Sequence, residues 1–213
     1  MGGICSNICC SNICDDDPVP ESDLNKVEEA YEFFCDTQIN YAIIGLKGQI
    51  EKKYQEIAEK QCKEHGLPPK YGFHSSIFVY CSKESLTGYC VEFGKLEKCK
   101  DTSYYPDFRR FYYHKEPNSL GGVRFNRIKK QDYITHKCTK GLIHLKTNNC
   151  TGKNFMEKAE NKYIFDVKNF DPYTCNCHVF LREAVTALSA KIINDENNIC
   201  VNNFPDEILK IIQ

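Results

Sequence analysis

The spacing of apolar residues changes along the chain, and this change limits the possible folds more than any other feature. Over residues 22–35, and again over about 49–64, apolar side chains recur every three or four positions, which predicts two helices. From Tyr71 onward the pattern changes to runs rich in β-branched and aromatic residues, Phe73–Tyr80 and Tyr89–Phe93, separated by a polar stretch. These two runs predict a β-hairpin.

Weaker patterns predict the remaining elements. Strands are expected at Asn40–Leu46, within Gly122–Ile134 and at Gly141–Lys146; helices at Cys150–Lys162 and Cys177–Ala190; an extended segment at Tyr163–Phe170; and a loop at Lys95–Asn118. No internal repeat is evident. The sequence therefore predicts the α+β class, with an antiparallel β-sheet packed against helices.

The size of the chain suits one hydrophobic core. Its 213 residues, 41% of them hydrophobic, predict a single α+β domain over residues 22–213, preceded by a tail and linker at 1–21. The 28 basic and 29 acidic residues are spread along the whole length and give a formal net charge of -1. No sustained positive field is present to hold a phosphate backbone, so we expect no nucleic-acid partner.

The apolar runs are too short to cross a bilayer. The longest, Tyr41–Gly45, falls far below the run of about 18 residues that predicts a transmembrane helix. The N-terminus also lacks the basic start and apolar segment of a secretory signal, so we expect a cytosolic chain. Most of its 14 cysteines should then be reduced thiols.

The first fourteen residues predict covalent attachment of fatty acids. Gly2 follows the initial methionine and Ser6 follows at the sixth position, as in N-myristoylation signals. One myristoyl chain binds membranes only marginally, so a second anchor is needed. We expect S-palmitoylation to supply it at Cys5, Cys9, Cys10 and Cys14. The alternatives are a disordered tail with free thiols or a metal-binding tract, whose spacing here matches no zinc site.

Two residues far apart in sequence are candidates for thiol chemistry. Cys177 lies where the first turn of a helix is predicted, and unpaired backbone N–H groups and the helix dipole there favour a thiolate. His74 lies on the first strand of the predicted hairpin, where it can act as general base if the fold brings it within hydrogen-bond reach. This pattern predicts Cys177 as nucleophile and His74 as its base.

These stretches resemble a known superclass. The sequence Asn-Cys-His-Val-Phe at 176–180 is similar to the Asn-Cys-x-x-Phe motif of the NlpC superclass, and the strand that carries His74 resembles its catalytic-histidine strand. That superclass has a circularly permuted papain-like fold, and its branches include the lecithin:retinol acyltransferase-like proteins and the PPPDE peptidases. The resemblance covers about residues 70–190 and rests on two short motifs.

The resemblance implies a fold and an activity. It implies a permuted papain-like sheet with Cys177 at the start of a C-terminal helix, and Glu92 in the place of the third polar group that orients the imidazole of His74. The implied function is a thiol hydrolase or acyltransferase that needs no cofactor. Combined with the acylated tail, it would be tethered to the cytoplasmic face of a membrane. It would form a thioester intermediate with a lipid ester or with a peptide or isopeptide bond.

Three departures from the family pattern leave the substrate open. The acyltransferase branch prefers a second histidine where Glu92 stands, the segment 95–150 is long, and Cys175 is a competing thiol two residues before Cys177.

The same residues also allow a non-catalytic interpretation. A histidine on an apolar strand or a buried cysteine is often only structural. The alternative function is therefore a non-catalytic membrane adaptor that keeps the papain-like scaffold. We expect no bound metal, because the spacing of His136, Cys138, His144 and Cys150 matches no structural zinc site.

Overall fold

A single antiparallel sheet organises the part of the protein that the structure describes. The computed structural model describes residues 32–48, 52–94, 111–113, 122–162 and 176–213. Seven strands occur in these ranges: β1 (Gln38–Lys47), β2 (His74–Tyr80), β3 (Thr87–Gly94), β4 (Phe111–Tyr113), β5 (Gly122–Lys129), β6 (Thr139–Thr151) and β7 (Lys191–Ile192). They lie side by side in the order β4-β5-β3-β2-β1-β6-β7, and every neighbouring pair is antiparallel.

Helices flank the sheet and fill the connections between strands. Five helices have both ends in the described ranges: α1 (Lys52–Glu64), α2 (Lys130–Ile134), α3 (Gly152–Lys162), α4 (Cys177–Ala187) and α5 (Asp206–Ile212). Short 3-10 turns occur at Pro69–Gly72 and Val201–Asn203. None of the described helices is both long enough and apolar enough to cross a lipid bilayer.

Both faces of the central strands are covered. Successive side chains of a strand point to opposite faces, so Ile43 belongs to one apolar cluster and Ile44 to the other. The larger cluster includes Phe155 of α3, Phe180 of α4 and Ile208 of α5. The smaller cluster includes Tyr133 of α2. Because both faces are covered, all seven residues of β2 are buried, although His74, Ser75 and Ser76 are polar.

Most of the predicted elements are confirmed. The predicted hairpin corresponds to β2 and β3, which pair with Ile77 opposite Val91. The predicted strands at 40–46 and 141–146 lie within β1 and β6, and the helices expected near 49–64 and 150–162 correspond to α1 and α3. The α+β class is confirmed, because an antiparallel sheet packs against helices.

The prediction of a loop over Lys95–Asn118 is wrong at one place. Residues 111–113 form β4, which pairs with β5 so that Phe111 lies opposite Phe125. A strand of three residues is too short to show an alternating pattern. Nothing in the sequence therefore distinguished it from the aromatic, charged stretch around it.

The predicted end of the helix that follows Cys177 is also wrong. Helix α4 ends at Ala187 instead of Ala190, because Ser189 adopts a left-handed conformation with φ 48° and the Ala190 N–H donates to Val185 O at 3.0 Å. The left-handed residue that ends a helix is usually a glycine, so a serine at this position did not predict the helix end. Helix α4 is not the last helix either, because α5 follows it and was not predicted.

Other predictions concern residues outside the described ranges. These are the acylated tail and linker at 1–21, most of the helix expected at 22–35, and the extended segment at 163–170. Residues 32–35 are described, and they are helical.

A close backbone contact at the start of α3 gives a test of the packing. A Cβ added to Gly152 would lie 1.9 Å from Phe34 O, so the backbone must move to accept it. We expect Gly152→Ala to lower the free energy of unfolding by about 1–3 kcal/mol, measured by urea titration. Lys153→Ala, at the exposed next position, should change it by less than about 0.5 kcal/mol. Equal midpoints for the two variants would contradict this contact.

Candidate active site

The start of α4 is fixed by a side-chain cap. Asn176 has extended backbone angles, φ -137° and ψ -176°, and its side-chain oxygen accepts hydrogen bonds from the N–H groups of His178 at 2.9 Å and Val179 at 3.1 Å. These bonds satisfy two of the donors that a helix start leaves unpaired. Cys177 is therefore held as the first residue of the helix, at the positive end of its dipole.

The sulfur of Cys177 meets the first strand of the hairpin. The backbone N–H of Ser75 donates to Cys177 Sγ at 3.5 Å, across 102 positions of sequence. Cys177 is only 3% exposed, so this contact takes place away from bulk water. A backbone donor aimed at sulfur and the helix dipole both favour the thiolate over the thiol.

His74 and Glu92 form a buried hydrogen bond beside this sulfur. Nε2 of His74 lies 2.7 Å from Oε2 of Glu92, and each residue is 6% exposed. Ile77 pairs with Val91, so in this antiparallel register the next position, Glu92, lies opposite Ser76. Ser76 and His74 are two residues apart on β2, so Glu92 and His74 share one face of the sheet. The other ring nitrogen, Nδ1 of His74, is also buried. Because Nε2 is bonded to Glu92, Nδ1 is the nitrogen left to interact with Cys177.

The charges around His74 favour its protonated form. Burial alone would lower the pKa of the imidazolium, but the charge of Cys177 and then that of Glu92 oppose burial and raise the pKa to about 10. The ring is thus stabilised as a cation between two anionic groups. These surroundings favour a thiolate–imidazolium pair, with the Glu92 carboxylate bonded to Nε2 of the ring.

His178, the residue after the nucleophile candidate, has a structural role. His178 donates from Nε2 to the backbone oxygen of Tyr71 at 3.3 Å, and the two rings pack with centroids 5.2 Å apart. The Tyr71 hydroxyl donates to the Glu207 carboxylate, while Lys70 Nζ lies 2.7 Å from Asp206 Oδ1. The chain that leads into His74 is therefore fastened both to α4 and to α5.

Sequence reasoning missed a group of buried polar residues on the His74 side of the sheet. Lys47 Nζ lies 4.7 Å from the centroid of the Tyr133 ring. The Tyr133 hydroxyl donates to Ser76 O at 3.0 Å and lies 2.9 Å from Ser76 Oγ. The only available signal was a lysine at the end of an apolar strand, and such lysines usually reach solvent.

The three body residues predicted for the site come together. Cys177, His74 and Glu92 lie on α4, β2 and β3, and their side chains interact as described. The lipidation candidates Gly2, Cys5, Cys9, Cys10 and Cys14 lie outside the described residues, as does the competing thiol Cys175.

The described residues offer no metal site. In the ranges that the structure covers, no three His, Cys, Asp or Glu side chains are arranged to hold a metal ion. His144, which belonged to the zinc pattern considered above, instead has Nδ1 at 3.4 Å from Asp195 Oδ2.

Comparison of the chain with protein-family models, curated proteins and solved structures finds no match. Inference about function therefore depends on the residues of the site themselves.

The cap at Asn176 gives a test of the site's construction. Asn176→Ala removes two hydrogen bonds at the start of α4 and should lower the free energy of unfolding by about 1–2 kcal/mol. It should also slow alkylation of Cys177, because the helix start that favours the thiolate becomes less ordered. Peptide-resolved mass spectrometry after iodoacetamide pulses measures this rate.

The matched control is Asn148→Ala, at an exposed position whose backbone N–H donates to Leu188 O. It should leave both quantities unchanged. Equal alkylation rates at Cys177 in the two variants would contradict a role for the cap in activating the sulfur.

Proposed function

We propose that the protein is a membrane-tethered thiol hydrolase or acyltransferase, with Cys177 as nucleophile, His74 as general base and Glu92 orienting the histidine. One observation carries this proposal: three side chains far apart in sequence converge, almost without solvent, into a cysteine–histidine–carboxylate relay at a helix N-terminus. Burying such groups costs free energy. An arrangement that raises the pKa of His74 to about 10 is typical of catalytic sites.

The proposed reaction proceeds through a thioester. His74 takes the proton of Cys177, and the sulfur attacks the substrate carbonyl to form a C–S bond while the carbonyl electrons move to oxygen. The oxyanion collapses and expels an alkoxide or amine, which takes the proton from His74. Water or an acceptor then loses a proton to His74, attacks the thioester and releases the sulfur. The positive end of the α4 dipole stabilises the oxyanion in both steps.

We further propose that the fold is the permuted papain-like arrangement of the NlpC superclass. The order along the chain supports this: a strand begins at His74, a hairpin carries Glu92, and a later helix begins at Cys177. The helix also packs on the sheet through Phe180, which lies 6.3 Å from Phe93 of β3 between ring centroids.

The proposed tether favours substrates at a membrane surface. With a myristoyl chain on Gly2 and palmitoyl chains on nearby cysteines, the enzyme would be concentrated at the bilayer. A lipid ester and a membrane-bound peptide or isopeptide both present the carbonyl that this chemistry needs.

Thiol reactivity tests the relay. We expect Cys177 to react with iodoacetamide at pH 6 at least about ten times faster than exposed Cys81, because the site favours its thiolate. His74→Ala should slow Cys177 and leave Cys81 unchanged. Activity should persist toward pH 10, where the His74 imidazolium loses its proton. Glu92→Gln removes an anion that stabilises this cation, so it should move the alkaline limit to lower pH.

Cys62→Ala is the control for loss of a buried thiol outside the relay, because Cys62 is buried in α1. It should leave the rate at Cys177 unchanged. If Cys177 reacts no faster than Cys81 in protein shown to be folded, the catalytic proposal fails and a tethered adaptor becomes the better account.

Cell fractionation tests the tether. Gly2→Ala should move the protein from the membrane to the soluble fraction, whereas Gly3→Ala leaves the modified glycine in place and should not. Replacing Cys5, Cys9, Cys10 and Cys14 together by serine should leave only the weak binding of one myristoyl chain, about 10⁴ M⁻¹. Membrane retention of the Gly2→Ala protein would contradict myristoylation as the first anchor.

A further inference from the structure

Ser75 carries a buried hydroxyl beside the proposed general base. The residue is completely buried, and its Oγ has no hydrogen-bond partner among the residues that the structure describes. Burying a hydroxyl without a partner costs free energy, and buried polar groups in native proteins are nearly always hydrogen-bonded. A serine at this position therefore needs an explanation other than packing.

The neighbours of Ser75 on both adjacent strands are apolar. Leu46 of β1 lies directly opposite it. Ile77 pairs with Val91, so two positions further along this antiparallel register Phe93 lies on its other side. Leu46 and Phe93 both belong to the larger apolar cluster. An alanine would suit these surroundings without leaving an unpaired polar atom.

The hydroxyl lies on the face of the sheet that α4 covers. Alternate residues of a strand share a face, so the Ser75 side chain is on the same side as Ile77, which belongs to the larger cluster. Helix α4 packs on this face through Phe180, whose ring centroid lies 6.3 Å from that of Phe93. Phe180 and Cys177 are three positions apart and therefore lie on the same side of the helix. The Ser75 hydroxyl is thus set between the sheet and the start of α4.

The backbone of Ser75 contacts the nucleophile directly. Its N–H donates to Cys177 Sγ at 3.5 Å, and Oγ is only three covalent bonds from that nitrogen. When Sγ bonds to a carbonyl carbon, the carbonyl oxygen becomes an anion two bonds from the sulfur. A rotatable hydroxyl on the residue that contacts Sγ can donate to this oxygen, although among the described residues it has no acceptor before the attack.

A second buried atom, on the residue after Cys177, cannot take this role. Nδ1 of His178 also has no partner in the described part of the chain, but Nε2 of the same ring donates to Tyr71 O. Only one nitrogen of a neutral imidazole carries a hydrogen, so Nδ1 offers a lone pair, which would repel an oxyanion. Of these two unpaired groups, only the Ser75 hydroxyl can donate.

We propose that the Ser75 hydroxyl is a catalytic hydrogen-bond donor that stabilises the oxyanion formed when Cys177 attacks a carbonyl. The inference rests on the proposed function and adds to it a donor for the transition state. This hydrogen bond forms only as the carbonyl oxygen gains charge, so the hydroxyl speeds acyl transfer without making the thiolate more available.

Two electrophiles separate these effects in the full-length protein. Iodoacetamide alkylates Cys177 by displacement of iodide and forms no oxyanion. With p-nitrophenyl acetate, the sulfur bonds to the carbonyl carbon, and the resulting oxyanion collapses and expels p-nitrophenolate. Ser75→Ala should slow this acylation by about 10²-fold, the effect of removing one oxyanion donor, and leave alkylation unchanged. Peptide-resolved mass spectrometry of Cys177 measures both rates.

Thr139→Val is the matched control. Thr139 Oγ1 is another buried hydroxyl without a partner among the described residues, but it lies on β6, two strands away from Ser75. Its removal should leave both rates at Cys177 unchanged.

The stability of Ser75→Ala shows whether the hydroxyl is structural. Because the hydroxyl is unpaired in the free protein, its removal should leave the midpoint of urea unfolding equal to or above that of the parent. A lower midpoint or a failure to fold shows that the hydroxyl supports the structure, and it overturns the inference. Equal slowing of acylation and alkylation, or slowing of neither, overturns it as well.

The two proposals fail separately. If Cys177 of the parent protein reacts slowly with iodoacetamide and independently of His74, the proposed function itself fails. If the parent shows a fast thiol that depends on His74, but is not acylated or is acylated no faster than Ser75→Ala, only the role of Ser75 falls.

Discussion

The hydrogen bond between His74 and Glu92 is the interaction on which the rest of the site depends. It is 2.7 Å long and almost wholly buried, so water cannot take over its role if either partner is lost. The bond fixes the ring orientation and leaves Nδ1 as the ring nitrogen that interacts with Cys177. Glu92 also brings a negative charge. Together with the charge of Cys177, it raises the pKa of His74 by more than burial lowers it. The register of β2 with β3 brings Glu92 beside His74, so the charges around the imidazole depend on how these two strands pair.

The sequence supported the parts of the fold that local patterns specify. The hairpin was predictable because β-branched and aromatic runs flank a polar turn, and the start of α4 was predictable because asparagine caps helices. Local signals of this kind led to Cys177 and His74, whereas Glu92 was suggested only by the resemblance to a known superclass. The contact between these residues depends on the tertiary fold. The Ser75 N–H donates to Cys177 Sγ although the two residues are 102 positions apart, and no sequence periodicity predicts such a contact.

What the sequence could not provide follows from contacts between elements. Lys47 resembles an ordinary solvent-reaching lysine until β1 is set against β2 and α2 brings Tyr133 beneath it. The end of α4 at Ser189 and the three-residue strand β4 lack the glycine or the alternation by which such features are usually found. Each miss is a case in which tertiary context overrides local preference.

The ties at Tyr71 and Lys70 link the far end of the chain to the proposed chemistry. Both residues belong to the turn that enters β2, and both are held by carboxylates of α5. A segment held in this way opens and closes as one cooperative unit with the element that holds it. Fraying of α5 would therefore loosen the approach to His74, although α5 supplies none of the relay's side chains.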